Sequence, residues 1–310
     1  MTESWRTMMD LGLVHFMAFP AASSEADVLA SVEAVCADPF FDVLEVKRSD
    51  LPGVHAKIKA LADQSGVKIG VGAQPGLLGG KLSLNSQDEA HRAAAIAEVK
   101  KSIDAAYEMD ARIVACLSGP DPANEADRPT EMALLADSLT QLCQYAQDQA
   151  QSYVAWVSLE TFDDKIDKRC LIGPSERAAE LGDMVKEKVS NFGLTIDLSH
   201  LPLLGEDYTE SLSYALPHLI HIHVGNAVIA DPSMTAYGDM HPRFGFPGGE
   251  NDVQQLKAFM ESLIYVGFFQ QDVPTGKAVV TFEVKPVGDE QPNLVLAQTK
   301  RTWERMWVEL

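Results

Sequence analysis

Short runs of Val, Ile and Leu without regular polar alternation recur along the chain between longer stretches of helical period. The strand-like runs cover residues 11–19, 42–48, 68–74, 112–118, 153–161, 194–199, 219–224 and 278–284. Continuous apolar character is what a strand needs when both of its faces are buried, as in a parallel sheet. Between the runs, residues 24–37, 86–108, 130–150, 175–189 and 252–266 carry helical spacing, several opening on Ser or Asp as N-caps.

Eight strands alternating with helices predict an α/β fold of the (β/α)8 TIM barrel type, one domain over residues 1–310. An open doubly wound sheet would place a GxGxxG turn after its first strand, and none is there. The glycine-rich segments 76–80 and 245–249 are expected to be loops on the carboxyl-end face. The longest loop follows the seventh strand, over residues 225–249, and a loop of that length in a compact domain points to function.

Composition narrows the partners. Hydrophobic residues make up 46% and charged residues 23% of the 310, a globular balance. The formal net charge of −20 disfavours nucleic acid and anionic membranes as partners, while leaving a local pocket free to bind a small ligand. No apolar run reaches the roughly 18 residues of a spanning helix. Cys36, Cys116, Cys143 and Cys170 show no CxxC pairing and read as reduced thiols of a cytoplasmic protein.

The candidate chemistry lies at strand ends, because a barrel gathers its active-site residues there. Glu160 closes YVAWVSLE, Asp197 closes LTID, His223 closes LIHIH, and Glu283 sits in VVTFEV. Three carboxylates and an imidazole meeting at one mouth would repel one another unless a cation lay between them. A mixed oxygen and nitrogen set without thiolates suits one divalent ion, Mn2+ first, with Co2+, Mg2+ or Zn2+ as alternatives.

The segments LETFD, TIDLSH, HIHVGN, GDMHPRFG and TFEVKP resemble the xylose isomerase-like TIM barrel superfamily, that of sugar phosphate isomerases and epimerases. Within it the chain is most similar to ketose 3-epimerases, with endonuclease IV as a distant relative. The resemblance implies that Glu160, Asp197, His223 and Glu283 bind the metal. It also implies that Glu160 and Glu283 are catalytic, moving a proton at the substrate carbon, and that His200 contacts a substrate oxygen. A homo-oligomer, dimer or tetramer, acting on a small carbohydrate is the corresponding expectation. The arginine that simple sugar epimerases carry shortly after the metal histidine is replaced by Val224, Gly225, Asn226 and Ala227. Arg243, beyond the long loop, is the candidate left, and His241 and Arg243 are expected to contact substrate.

The reaction expected is epimerisation or isomerisation through an enediolate, one carboxylate removing the proton beside a chelated carbonyl and the other returning it. One rival is a lyase that eliminates the aglycone of a 3-keto-glycoside. A second is an endonuclease IV-like phosphodiesterase, in which Asp239, His241 and His200 hold a further metal. Gln74 and Ser118 stand where the endonucleases place histidines, and so weigh against it. The third is a non-catalytic sugar-binding barrel. His15, Glu45 and Lys47 are candidates for the same mouth, and His221 is expected to face away from His223 and to pack. His218 and His55 read as surface residues.

Overall fold

The computed structural model describes residues 4–310. Eight parallel strands close into a barrel in chain order: β1 (Met9–Val14), β2 (Val43–Lys47), β3 (Lys68–Gly72), β4 (Ile113–Leu117), β5 (Trp156–Glu160), β6 (Phe192–Asp197), β7 (Leu219–Gly225) and β8 (Ala278–Glu283). β8 pairs back onto β1 from Met9↔Ala278 to Leu13↔Phe282. Nearly every strand residue is buried, which is why the strands read as unbroken apolar runs.

The expected helices are present as Glu25–Cys36, Glu89–Glu108, Arg128–Gln149, Ser175–Lys186 and Val253–Val266. Ser24 caps the first of these by accepting from Asp27 N, and Asp88 caps the second through Ala90 N and His91 N. Helices Val54–Ser65, Tyr208–Ala215 and Pro292–Glu309 complete the alternation.

Two local expectations are corrected. The first strand stops at Val14, and the apolar run continues as a short helix, His15–Ala18, closed by Phe19 N donating to His15 O at 2.9 Å. Residues 76–80 are not a loop but the body of a helix, Gln74–Gly80, with Pro75 in its first turn. Helical period cannot be read from so few residues.

Aromatic packing ties the last helix to the barrel wall. Trp303, fully buried, meets Phe282 and Trp5 edge-on, with ring centroids 5.5 and 6.2 Å apart. The last helix is thereby pinned over the start of β1, and truncating Trp303 to Ala would cost about 3–5 kcal/mol. All four cysteines are free, three of them buried. Among the described residues, no helix is long and apolar enough to cross a membrane.

Strand register positions the polar residues. Asp197 lies opposite His223, and Gly225 opposite Glu283. Between β6 and β7 the register shifts after Leu194, which pairs with Leu219, while Thr195 pairs with His221. The irregularity skips Ile220 and keeps both β7 histidines in step with Asp197, the re-aiming that a bulge performs.

Candidate metal centre at the barrel mouth

Glu160, Asp197, His223 and Glu283 come together. One ligand atom from each lies within 4.8 Å of all the others, and all four residues are buried. His223 Nδ1 is 3.2 Å from Glu160 Oε1 and 2.9 Å from Glu283 Oε2. Asp197 Oδ1 accepts from Ser199 N at 2.7 Å, while Asp197 Oδ2 is buried without a hydrogen-bond partner. The nearest opposite charge to that oxygen is His241 Nδ1 at 3.7 Å, beyond hydrogen-bonding range. A buried carboxylate oxygen without a hydrogen-bond partner, in a residue that belongs to a set of close ligand atoms, fits a cation ligand.

The electrostatics agree. Two like charges about 4 Å apart repel by about 4 kcal/mol at an effective dielectric of 20, and this cluster holds three carboxylates. Burial alone would depress the His223 imidazolium, but Glu45 and Glu160 outweigh it and hold that group well above its usual range. The residue set fits a divalent cation of the Mn2+, Mg2+, Co2+ or Zn2+ kind, with three oxygen donors and one nitrogen.

A second cluster adjoins the first. Asp239 Oδ1 lies 3.0 Å from His200 Nε2 and 2.7 Å from His241 Nε2. Its other oxygen is 3.0 Å from Lys168 Nζ. His200 donates from Nδ1 to the Thr161 carbonyl at 2.6 Å and stacks on Phe162, with centroids 4.5 Å apart. Burial pulls both imidazoles down. Asp239 and Asp197 lift His200 to about 10, and Glu283 and Asp239 lift His241 to about 9.

His241 adopts a left-handed backbone, φ 50°, secured by Lys285 N donating to its carbonyl at 2.7 Å. Two asparagines fasten the long loop that carries it. Asn226 accepts from Ala227 N and Asn251 N and donates to the Arg243 carbonyl, and Asn251 donates back to the Gly225 carbonyl at 3.0 Å.

Arg243 stands apart from the site residues gathered here. Its guanidinium pairs with Glu290 at 2.8 Å, reaches the Phe244 and Gly245 carbonyls, and lies over the Phe246 ring. His15 is buried and shares a hydrogen bond with Ser31 Oγ at 2.9 Å. The exposed end of β2 carries Lys47.

Three features escaped the sequence reading. His221 does not face away from His223: a two-residue step along a strand returns to the same face, and both point inward. Glu45 lies between them, 2.7 Å from His221 Nε2 and 3.0 Å from His223 Nε2. Gln74 donates to Glu160 Oε2 at 2.7 Å, so this residue supports the cluster from the end of β3. His218 is buried, not surface, and pairs with Asp183 at 2.8 Å. The charge in the middle of the apolar run VLEVK marks Glu45 as a mouth candidate, as the sequence indicates; nothing local to that run indicates its two histidine partners.

Closed parallel strands with a polar cluster at their carboxyl ends define a (β/α)8 barrel with its candidate site in the usual position. The chain belongs to the xylose isomerase-like TIM barrel family, whose sequence model matches residues 25–283. No curated protein matches it in sequence. Among solved structures, it is similar to the IOLI protein with a binding zinc atom, at 18% identity and TM-score 0.70 over 97% of this chain and 99% of that one. It is similar to an L-ribulose 3-epimerase, also at 18% and 0.70, over 97% and 95% of the two chains. A D-psicose 3-epimerase from Clostridium cellulolyticum H10 matches at 16% and 0.69, over 96% and 97%. At these identities the likeness establishes the shared fold.

Proposed function

We infer that the chain is a metal-dependent isomerase or epimerase acting on a sugar or keto sugar, with Glu160 and Glu283 as its catalytic acid–base pair. The observation that carries this reading is the buried set of Glu160, Asp197, His223 and Glu283, in which one Asp197 oxygen has no hydrogen-bond partner. A divalent cation bound by these four residues would supply Lewis-acid stabilisation of negative charge on substrate oxygens. Glu160 arrives from β5 and Glu283 from β8, strands separated by two others around the ring. Carboxylates that approach from different directions can act on the two faces of a planar enediolate. One takes the proton from the carbon beside the carbonyl and the other returns it, inverting the centre.

Gln74 fixes the orientation of Glu160; in the neighbouring network both ring nitrogens of His200 and Nε2 of His241 are engaged, leaving His241 Nδ1 as the imidazole nitrogen able to turn to a substrate hydroxyl. Phe162, packed on His200, supports that wall of the site. The named activities of the solved relatives, 3-epimerisation of ketoses, are compatible with this chemistry.

The test is direct. Purified protein should carry about one divalent ion per chain, lost in Glu283→Gln and His223→Ala. With an active keto sugar, deuterium from solvent should enter the substrate at the epimerised carbon. An absence of ion after loading overturns the metal reading. Turnover without any exchange overturns the proton-transfer reading, and release of an aglycone from a 3-keto-glycoside would replace it with the lyase.

A further inference from the structure

We propose that Glu45, on β2, is a positioning residue that sets the tautomer and ring orientation of His223 for cation binding, with His221 holding Glu45 in place. This rests on the metal-dependent reading above. β2 contributes none of the four cluster residues, yet the Glu45 carboxylate is buried at 5% exposure beneath them. One of its oxygens accepts from His223 Nε2 at 3.0 Å and the other from His221 Nε2 at 2.7 Å. The far nitrogen of the same ring, His223 Nδ1, faces Glu160 and Glu283. An imidazole that commits its Nε2 proton to a carboxylate presents its lone pair at Nδ1, so the side of the ring away from the cluster decides which atom can act as ligand.

The support for Glu45 is itself built. Gly70 is its register partner on β3, and a Cβ there would lie 2.9 Å from Glu45 Cγ. Thr281 Oγ1 is 3.4 Å from His221 Nε2, and Gly12 leaves the room that Thr281 needs, since a Cβ at Gly12 would fall 2.4 Å from Thr281 Oγ1. Below lies a cavity of about 340 Å³ at the amino-terminal end of the barrel, lined by Glu45 and His221 together with Gly70, Arg112 and Val279. Because that space is open, packing from beneath does not press the Glu45 carboxylate against His223. The two histidine contacts hold it there.

The experiment uses the full chain loaded with Zn2+ alone. Affinity is measured by competition with a chelator, and the histidine tautomers are read by 15N-histidine NMR. In the wild type, the His223 ring should show a protonated Nε2 and a coordinated Nδ1. Glu45→Ala should weaken Zn2+ binding about 10- to 100-fold and mix the His223 tautomers, with Glu45→Gln, which keeps an acceptor, recovering part of both. Gly70→Ala, which displaces Glu45 without altering its charge, should shift both readouts in the same direction as Glu45→Ala. His221→Asn tests the same link should Glu45→Ala fail to fold. Wild-type affinity and an unmixed His223 signature in folded Glu45→Ala and Gly70→Ala would overturn the proposal alone. A wild type that binds no Zn2+ would overturn the metal reading and this proposal with it.

Discussion

The two polar clusters in the barrel mouth are built from the same residue types and lie side by side, yet they balance charge differently. Around His223, Glu160 and Glu283 of the mouth and Glu45 from below compete for one imidazole, and the Asp197 Oδ2 beside them is without a hydrogen-bond partner. Around Asp239, one carboxylate faces two imidazoles and the Lys168 ammonium. Burial opposes the charge on Lys168, but Asp239 and Asp167 outweigh it and raise that group above its usual value. Burial likewise works against ionised Asp239, and His241 and His200 hold it well below the usual carboxylate range. The second cluster therefore carries more than enough positive charge for its one carboxylate, whereas the first sets a single imidazole against several carboxylates. Residues that could hold a metal need one only where the protein has not already supplied the positive charge.

The largest expected effect separates the clusters by function. Glu160→Gln should lower solvent exchange of the substrate proton by about 10²- to 10⁴-fold, the usual worth of a positioned acid–base group. His200→Asn, in the charge-balanced cluster, should act mainly through KM. Equal losses of kcat in both variants would erase the functional difference between the clusters.

Lys168→Met attacks the difference in charge balance itself. Removing one partner of a largely buried pair costs about 3–5 kcal/mol, so urea unfolding should show a loss of that order. Bound Zn2+ should rise from one to two per chain as an added ion takes over the ammonium's place beside Asp239, His200 and His241, and should restore the stability. A wild type already holding two ions would show that Lys168 does not substitute for a metal.

His15 sharpens the comparison from the opposite side, as a buried imidazole with no carboxylate against it. Burial first, then the Lys47 charge, lower it from 6.5 to about 4. Between those values the unfolded chain binds the proton and the folded chain does not, so stability is intact above pH 6.5 and falls as pH drops towards 4. The full shift corresponds to about 3 kcal/mol. Urea unfolding at pH 7 and pH 5 should show part of that loss in the wild type and a flatter profile in His15→Gln. The same slope in both would remove His15 as its source.

Much of this arrangement was legible in the sequence because of how a barrel works. Doubly buried strands leave continuous apolar runs, and a polar residue ending such a run is placed by the fold at the mouth, so Glu160, Asp197, His223 and Glu283 could be named from position alone. What stayed hidden was pairing across the ring. Glu45 meets His223 over a separation of 178 residues, Gln74 meets Glu160 over 86, and Lys168 reaches the Asp239 backbone over 71. No local period encodes such contacts. They depend on strand register, including the shift between β6 and β7 that keeps His221 and His223 in step with Asp197.

The smallest expected effect concerns Arg243, which chain order alone placed beside the second cluster. Its bond to Glu290 lies at a partly exposed rim, with side-chain exposures of 31% and 24%. Rim pairs of this kind contribute up to about 1 kcal/mol. Arg243→Ala should therefore change stability by no more than that, and leave KM for the eventual substrate and Zn2+ stoichiometry as they are. A rise in KM at unchanged stability would mean that the guanidinium leaves Glu290 when substrate arrives. The boundary of the binding site would then extend past the Asp239 cluster to the rim of the long loop, and the charge-balanced region would have to be counted as part of the substrate's path.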